Sequence, residues 1–144
     1  MSFLPDASGS AVAEPRRRHE TPFWLAELRA SAGFVYVATP YTRYEHGLPA
    51  AAYDAACATA ALMRHGISAF SPIAHGHHVS EAGRLEKLDV GFWERMDAPM
   101  VAAAAACVVV KMPGWQTSAG VAHEIDAFRL ARKPVFYMAP GELG

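Results

Sequence analysis

Three short runs of apolar residues without polar alternation constrain this chain more than any other feature: "F-V-Y-V-A" (34–38), "A-C-V-V-V-K-M" (106–112) and "P-V-F-Y-M" (134–138). Each is too short for a buried helix and rich in β-branched or aromatic residues, so each reads as a strand. A strand that is apolar on both sides must be covered on both sides. That is the condition of a parallel sheet with helices above and below it, not of an antiparallel sheet with a wet face.

The segments between these runs supply the covers. An Ala-rich stretch from Leu48 to His65, closed by Gly66, predicts a long helix with a glycine stop signal. A short strand is expected over Ser68–Ser71, ending at Pro72. The polar stretch "H-G-H-H-V-S-E" (75–81) then reads as a loop. A helical region between Leu85 and Ala105 precedes the second apolar run, and a helix from about Ser118 to Ala131 precedes the third. Alternation of strand and helix predicts an α/β fold: a single doubly wound (flavodoxin/Rossmann-like) domain with a mainly parallel sheet of four to five strands flanked by helices. The domain is expected over 21–144, behind a flexible N-terminal tail over 1–20 that is rich in Ser, Ala, Pro and Arg. Thr21–Ala32 predicts a short helix with Phe23, Trp24 and Leu28 on one side.

Composition narrows the partners. A formal net charge of −1 and a pI near 6.6 offer no electrostatic footprint for nucleic acid, and the basic triplet Arg16-Arg17-Arg18 reads as part of the tail. The longest apolar run, Ala98–Val110, is interrupted by Pro99 and falls short of the ~20 residues of a membrane span. With no apolar leader segment and two cysteines, Cys57 and Cys107, read as reduced core residues, a cytoplasmic protein is expected. Neither a cofactor nor a metal is expected. His75, His77 and His78 with Glu81 lack the spacing of a helical zinc pair, and read as a loop at a pocket mouth.

In a doubly wound sheet ligands bind beyond the carboxyl ends of the strands. Two loops leave strands at that edge: "T-P-Y-T-R-Y" (39–44) and "P-G-W-Q-T-S-A-G" (113–120). The helix after the second carries Val121, Ile125 and Phe128 on one stripe, and Glu124 falls on the same stripe. A carboxylate there is costly unless it is paired or borders a cavity, so it is either a margin residue reaching solvent or a site residue. Ser118 and Gly120 at the helix start offer a hydroxyl and free N–H groups at the positive end of the helix dipole, a seat for an anion such as phosphate. The same Ser118, or Thr117, also reads as an ordinary N-cap. Neither G-K-[ST] nor G-x-G-x-x-G is present.

"Y-V-A-T-P-Y" closing the first strand and "S-A-G-V-A-H-E" opening the last helix resemble the two signature regions of the nucleoside 2-deoxyribosyltransferase-like superfamily. The resemblance spans roughly Gly33 to the C-terminus. It implies that Glu124 is the nucleophile at the anomeric carbon, with Gly120 four residues before it. Where the transferases carry an Asp six residues ahead of that Glu, this chain has Ser118, which resembles the 2′-deoxynucleoside 5′-monophosphate N-hydrolase branch, where the serine helps hold the phosphate. The family's acid before the third strand corresponds to Asp97, which alternatively reads as an N-cap ahead of Ala98-Pro99. Asp89 and Glu94 read as solvated. Tyr36 corresponds to the family's strand tyrosine, although a Tyr in a buried strand is commonly core. Thr39, Tyr41 and Arg43 are expected near base, sugar or phosphate; the hydrolase branch has a glycine-rich, Arg-containing loop there, and this loop is not glycine-rich. Trp115 either stacks on a base or packs on its own loop.

The resemblance implies a nucleotide N-glycosidase that splits a (deoxy)nucleoside 5′-monophosphate into base and sugar phosphate. The alternatives are base exchange between deoxynucleosides, a phosphoribohydrolase of the cytokinin-activating type, a nucleotide-sensing domain without chemistry, and a structural partner domain docking through Phe23-Trp24. It also implies a small-molecule nucleotide or nucleoside as partner and a homodimer or higher homo-oligomer.

Overall fold

The computed structural model describes residues Pro22–Gly144; the expected tail, with its arginine triplet, lies outside the described residues. Ten elements follow one another: α1 (Phe23–Ala30), β1 (Val35–Ala38), α2 (Leu48–Arg64), β2 (Ala69–Phe70), α3 (Pro72–Gly83), α4 (Val90–Ala103), β3 (Ala106–Val110), a 3₁₀ turn (Trp115–Thr117), α5 (Ala119–Leu130) and β4 (Val135–Met138). The four strands form one sheet in the order β2-β1-β3-β4, with every pair parallel. The doubly wound α/β domain is therefore present, at the lower end of the expected strand number.

Strand parity divides the core in two. Val35, Val37, Ala106, Val108, Val110 and Met138 face α1 and α2, packing with Leu25, Leu28, Ala51 and Leu62. Their neighbours Tyr36, Ala38, Cys107 and Val109 face the other way, against Val121 and Phe128 of α5 and Ala104 at the end of α4. A period of two along fully buried strands gives this division directly. β1 lies between β2 and β3, so the chain leaves β1 in one direction and reaches β3 on its other side. The switch point, where ligands enter such folds, is thus between the carboxyl ends of β1 and β3.

Four expectations need correction. The "H-G-H-H-V-S-E" stretch is not a loop but lies inside α3. Ser71 accepts from Ala74 N (3.0 Å) as N-cap and Pro72 occupies the first turn, a start signal that also shortens β2 to two residues. Gly76 persists in that helix because a Cβ there would stand 3.2 Å from the Trp93 ring. Phe23 is 93% exposed, and Leu25 and Leu28 are the residues α1 buries; Trp24 packs against Phe136 (centroids 6.0 Å). Cys57 lies exposed on α2, whereas Cys107 is buried as expected. Finally, Asp97 caps nothing: α4 begins at Val90 behind Asp89, whose carboxylate accepts from Phe92 N (3.2 Å), so Asp97 sits mid-helix and Pro99 within it. Among the described residues no helix is long and apolar enough to cross a membrane.

Candidate functional site

Glu124 lies one turn into α5, three residues after the buried Val121, and so hangs over the β1–β3 edge of the sheet. It is only half-buried as a residue. Burial pushes its carboxyl up to about 8; the Tyr36 hydroxyl opposes this by hydrogen bonding to the charged form, and the negative charge of Asp97 adds to the rise. Tyr36, 1% exposed in the middle of β1, has its phenol raised well beyond the ordinary range, first by burial and then by the charge of Glu124. It stays a neutral hydrogen-bond donor at any working pH.

Asp97 faces this pair from α4. Because Val90 opens the helix, Trp93, Asp97, Val101 and the following Ala104 fall on one stripe, and the last two pack on the Tyr36 side of the sheet. Burial lifts the Asp97 carboxyl to about 6, while the positive charge His75 can carry pulls it down. Two carboxyl groups thus lie close to one tyrosine hydroxyl on the same side of the sheet, each partly desolvated. The charge of Asp97 disfavours ionisation of Glu124, so near neutral pH the proton stays on Glu124 while Asp97 is the more readily ionised of the two. Cys107, on the same side of the sheet, is pushed up by burial and by Glu124, and is a packing residue rather than a nucleophile.

The β3–α5 loop builds the rim. Gly114 turns through φ 82°, a left-handed conformation that suits glycine, and the 3₁₀ turn follows. Ser118 is the N-cap of α5, its Oγ accepting from Val121 N at 3.3 Å. Its hydroxyl hydrogen remains for another acceptor. The first helical N–H groups, including those of Ala119 and Gly120, have no intrahelical acceptor. A Cβ on Gly120 would meet nothing closer than Ser118 Oγ at 3.9 Å, so the space beside it is open. Cap and anion seat are compatible roles for one serine.

The remaining expected residues divide. Thr39, at the carboxyl end of β1, is buried, and its Oγ1 has no hydrogen-bond partner among the described residues. Tyr41 does not present a free hydroxyl: it packs on the α1–α2 side of the core and shares a 2.7 Å hydrogen bond with His77 Nδ1. Arg43 is exposed in the turn beyond. Trp115 packs on the Tyr36 side of the core and against the Tyr137 ring of β4 (centroids 5.7 Å), rather than on its own loop. Asp89 and Glu94 are exposed, as expected; Glu94 comes within 4.0 Å of His123.

Two residues gained a place that the sequence reading did not give them. His75 and His77 flank Gly76 on α3, one near Asp97 and the Phe70 ring (centroids 5.6 Å), the other on Tyr41. The Ser71-Pro72 start signal was available in the sequence and would have put them on a helix. Among the described residues no group of three or more His, Cys, Asp or Glu is gathered as metal ligands.

No curated protein matches the chain. One family model does, over residues 33–140, from two residues before β1 to two residues beyond β4, and so over every element named above except α1. Its description is a domain of unknown function, DUF1937, and with most of the sequence covered, the chain belongs to that family.

Proposed function

We propose that the chain is a nucleotide N-glycosidase, hydrolysing the N-glycosidic bond of a (deoxy)nucleoside 5′-monophosphate to free base and sugar phosphate. The observation that carries this reading is the convergence of Glu124, Tyr36 and Asp97 at the switch-point crevice, beside the open start of α5. The Ser118 and Gly120 features support a phosphate seat, which would place the sugar over Glu124. Thr39 Oγ1, buried without a partner among the described residues, is a further group that a ligand hydroxyl or ordered water would satisfy.

The reaction divides into two steps. The Glu124 carboxylate attacks the anomeric carbon as the carbon–nitrogen bond breaks; the bond pair goes to the base nitrogen, which takes a proton from Asp97. Water then attacks the anomeric carbon, gives a proton to the Asp97 carboxylate and displaces Glu124 with its electron pair. The sum is nucleotide plus water to base plus sugar phosphate. Tyr36, donating to Glu124, stabilises the carboxylate before attack and after release. One proton on the pair is the state the chemistry needs. In the free protein burial places it mainly on Glu124, and the developing positive charge of the sugar favours its transfer to Asp97.

Base exchange is a second reading, since the same two steps with a free base in place of water give transfer. A homodimer is part of the proposal: α4 buries none of its residues, and Met96 (50% exposed) and Met100 (40%) beside Asp97 are an apolar face that a second copy would cover. The test is chromatographic, with purified protein and a panel of ribo- and deoxyribonucleoside 5′-monophosphates, with and without an added base. Release of base by the wild type and not by Glu124→Ala supports hydrolysis, and a new nucleoside in the presence of added base supports exchange. Tight nucleotide binding without turnover, unchanged in Glu124→Ala, would replace both with a sensing domain.

A further inference from the structure

Three consecutive residues of α3 tie it to α4 and to the loop after β1. His75 stands near Asp97, Gly76 is filled by the Trp93 ring of α4, and His77 holds the hydroxyl of Tyr41 in the loop after β1. The third contact joins segments 36 residues apart in sequence at 2.7 Å and is part-buried. The other His77 ring nitrogen, Nε2, lies 3.9 Å from Glu81 Oε1 one turn later, and Lys87 Nζ bonds that same oxygen at 2.8 Å. Lys87 also holds the Glu81 carboxyl below its ordinary range, so Glu81 stays charged. The roles in this bond follow the ring tautomer: with the hydrogen on Nε2, the side of Glu81, Nδ1 accepts and Tyr41 donates. The rings meet edge to face (centroids 5.8 Å, 85° between planes), which fits a Tyr hydroxyl aimed at Nδ1.

We propose that His77 is a positioning residue whose Nδ1 pegs Tyr41 to α3 and thereby fixes the β1–α2 loop at the mouth of the crevice. The peg acts two residues beyond Thr39, whose buried hydroxyl has no partner among the described residues, so the loop's placement decides where that hydroxyl points. Beyond the packing of Tyr41 and Tyr44 on the α1–α2 side of the core, few contacts among the described residues tie this loop. Between β1 and α2 its backbone bonds are local, from Tyr44 N to Tyr41 O (3.1 Å) and from Gly47 N to Tyr44 O (3.0 Å), and Arg43 is exposed. The side-chain contact from Tyr44 to Asp54 secures its far end (2.5 Å), and His77 secures its near end. The role of the loop at a ligand mouth rests on the reading of the crevice as a nucleotide site; the peg itself does not.

The test is amide hydrogen exchange in the ligand-free protein over residues 41–47, for four variants. Asn places an oxygen close to where Nδ1 lies, whereas Gln reaches the Nε2 position and misses Tyr41. His77→Phe and Tyr41→Phe are each expected to speed exchange in the loop roughly tenfold, the loss of one part-buried hydrogen bond, and the double variant no more than either single one. His77→Asn is expected to stay within about twofold of the wild type, and His77→Gln to resemble His77→Phe. Equal effects of Asn and Gln, additive effects of the Phe variants, or a loop unchanged by all four would overturn the proposal. With a turned-over nucleotide, KM is expected to rise in His77→Phe while kcat holds. If no nucleotide is turned over but the exchange pattern appears, the peg stands and the nucleotide reading fails.

Discussion

The two faces of one sheet make the most instructive comparison in this molecule. On the face covered by α1 and α2, β1 and β3 present Val35, Val37, Val108 and Val110, and the helices answer with Leu and Ala; apart from Tyr44, that cluster is aliphatic or thioether throughout. On the other face the same strands present Tyr36 and Cys107, and the helices bring Glu124 and Asp97 to the margin. The strands are identical, and only the parity of the residue differs. A doubly wound sheet can therefore keep one face for cohesion and hold titratable groups at the edge of the other, with a step of one residue separating the two.

The comparison breaks most sharply at Glu124. Glu124→Gln is expected to lower base release by a factor on the order of 10⁴ or more, as loss of a covalent nucleophile does, with the fold intact by circular dichroism. Asp97→Asn is expected to cost about 10²- to 10⁴-fold in kcat, the range for a general acid, and base-release assays on substrates with better leaving groups would show a smaller loss. On the opposite face the deficit should move from activity to stability. Leu62→Ala is expected to destabilise the fold by about 2–5 kcal/mol in urea unfolding, with kcat of the remaining folded protein unchanged.

Proton linkage sharpens the same contrast. Both site carboxyls titrate higher in the folded protein than their ordinary values, to about 8 and about 6. Such groups add stability that is complete below the unfolded carboxyl pKa of about 4 and is lost as pH rises through the folded values. Thermal unfolding should therefore show Glu124→Gln gaining on the wild type between about pH 5 and pH 9, with the advantage vanishing at pH 4. In kcat/KM the singly protonated pair gives a bell with limbs near 6 and 8. The smallest effect is expected at Tyr36→Phe. It removes the hydrogen bond that lowers the Glu124 pKa, so the alkaline limb moves up, while kcat falls about tenfold or less.

What the chain's own residues determine is the layering and the order. Unalternated runs at 34–38, 106–112 and 134–138 demand cover on both faces, and hydrophobic transfer enforces that locally, so fold class, strand direction and the α5 cap at Ser118 were legible. The position of Glu124 on a core-facing stripe was legible for the same reason. The rest belongs to tertiary structure. Whether Asp97 capped a helix or faced a carboxylate depended on where α4 began, a matter of which backbone donors found partners. That the histidines lie on a helix was written in Ser71-Pro72, the cap and first-turn proline that open α3; that Trp93 fills the space over Gly76 was not. Tyr41 met His77 only because α3 passes behind the β1 loop. The pKa of Glu124 arises from burial, Tyr36 and the charge of Asp97, and that of Asp97 from burial and His75, quantities that no local window contains. Short-range patterning selects the elements; the desolvation and pairing of polar groups, which act across the chain, decide what those elements do to one another.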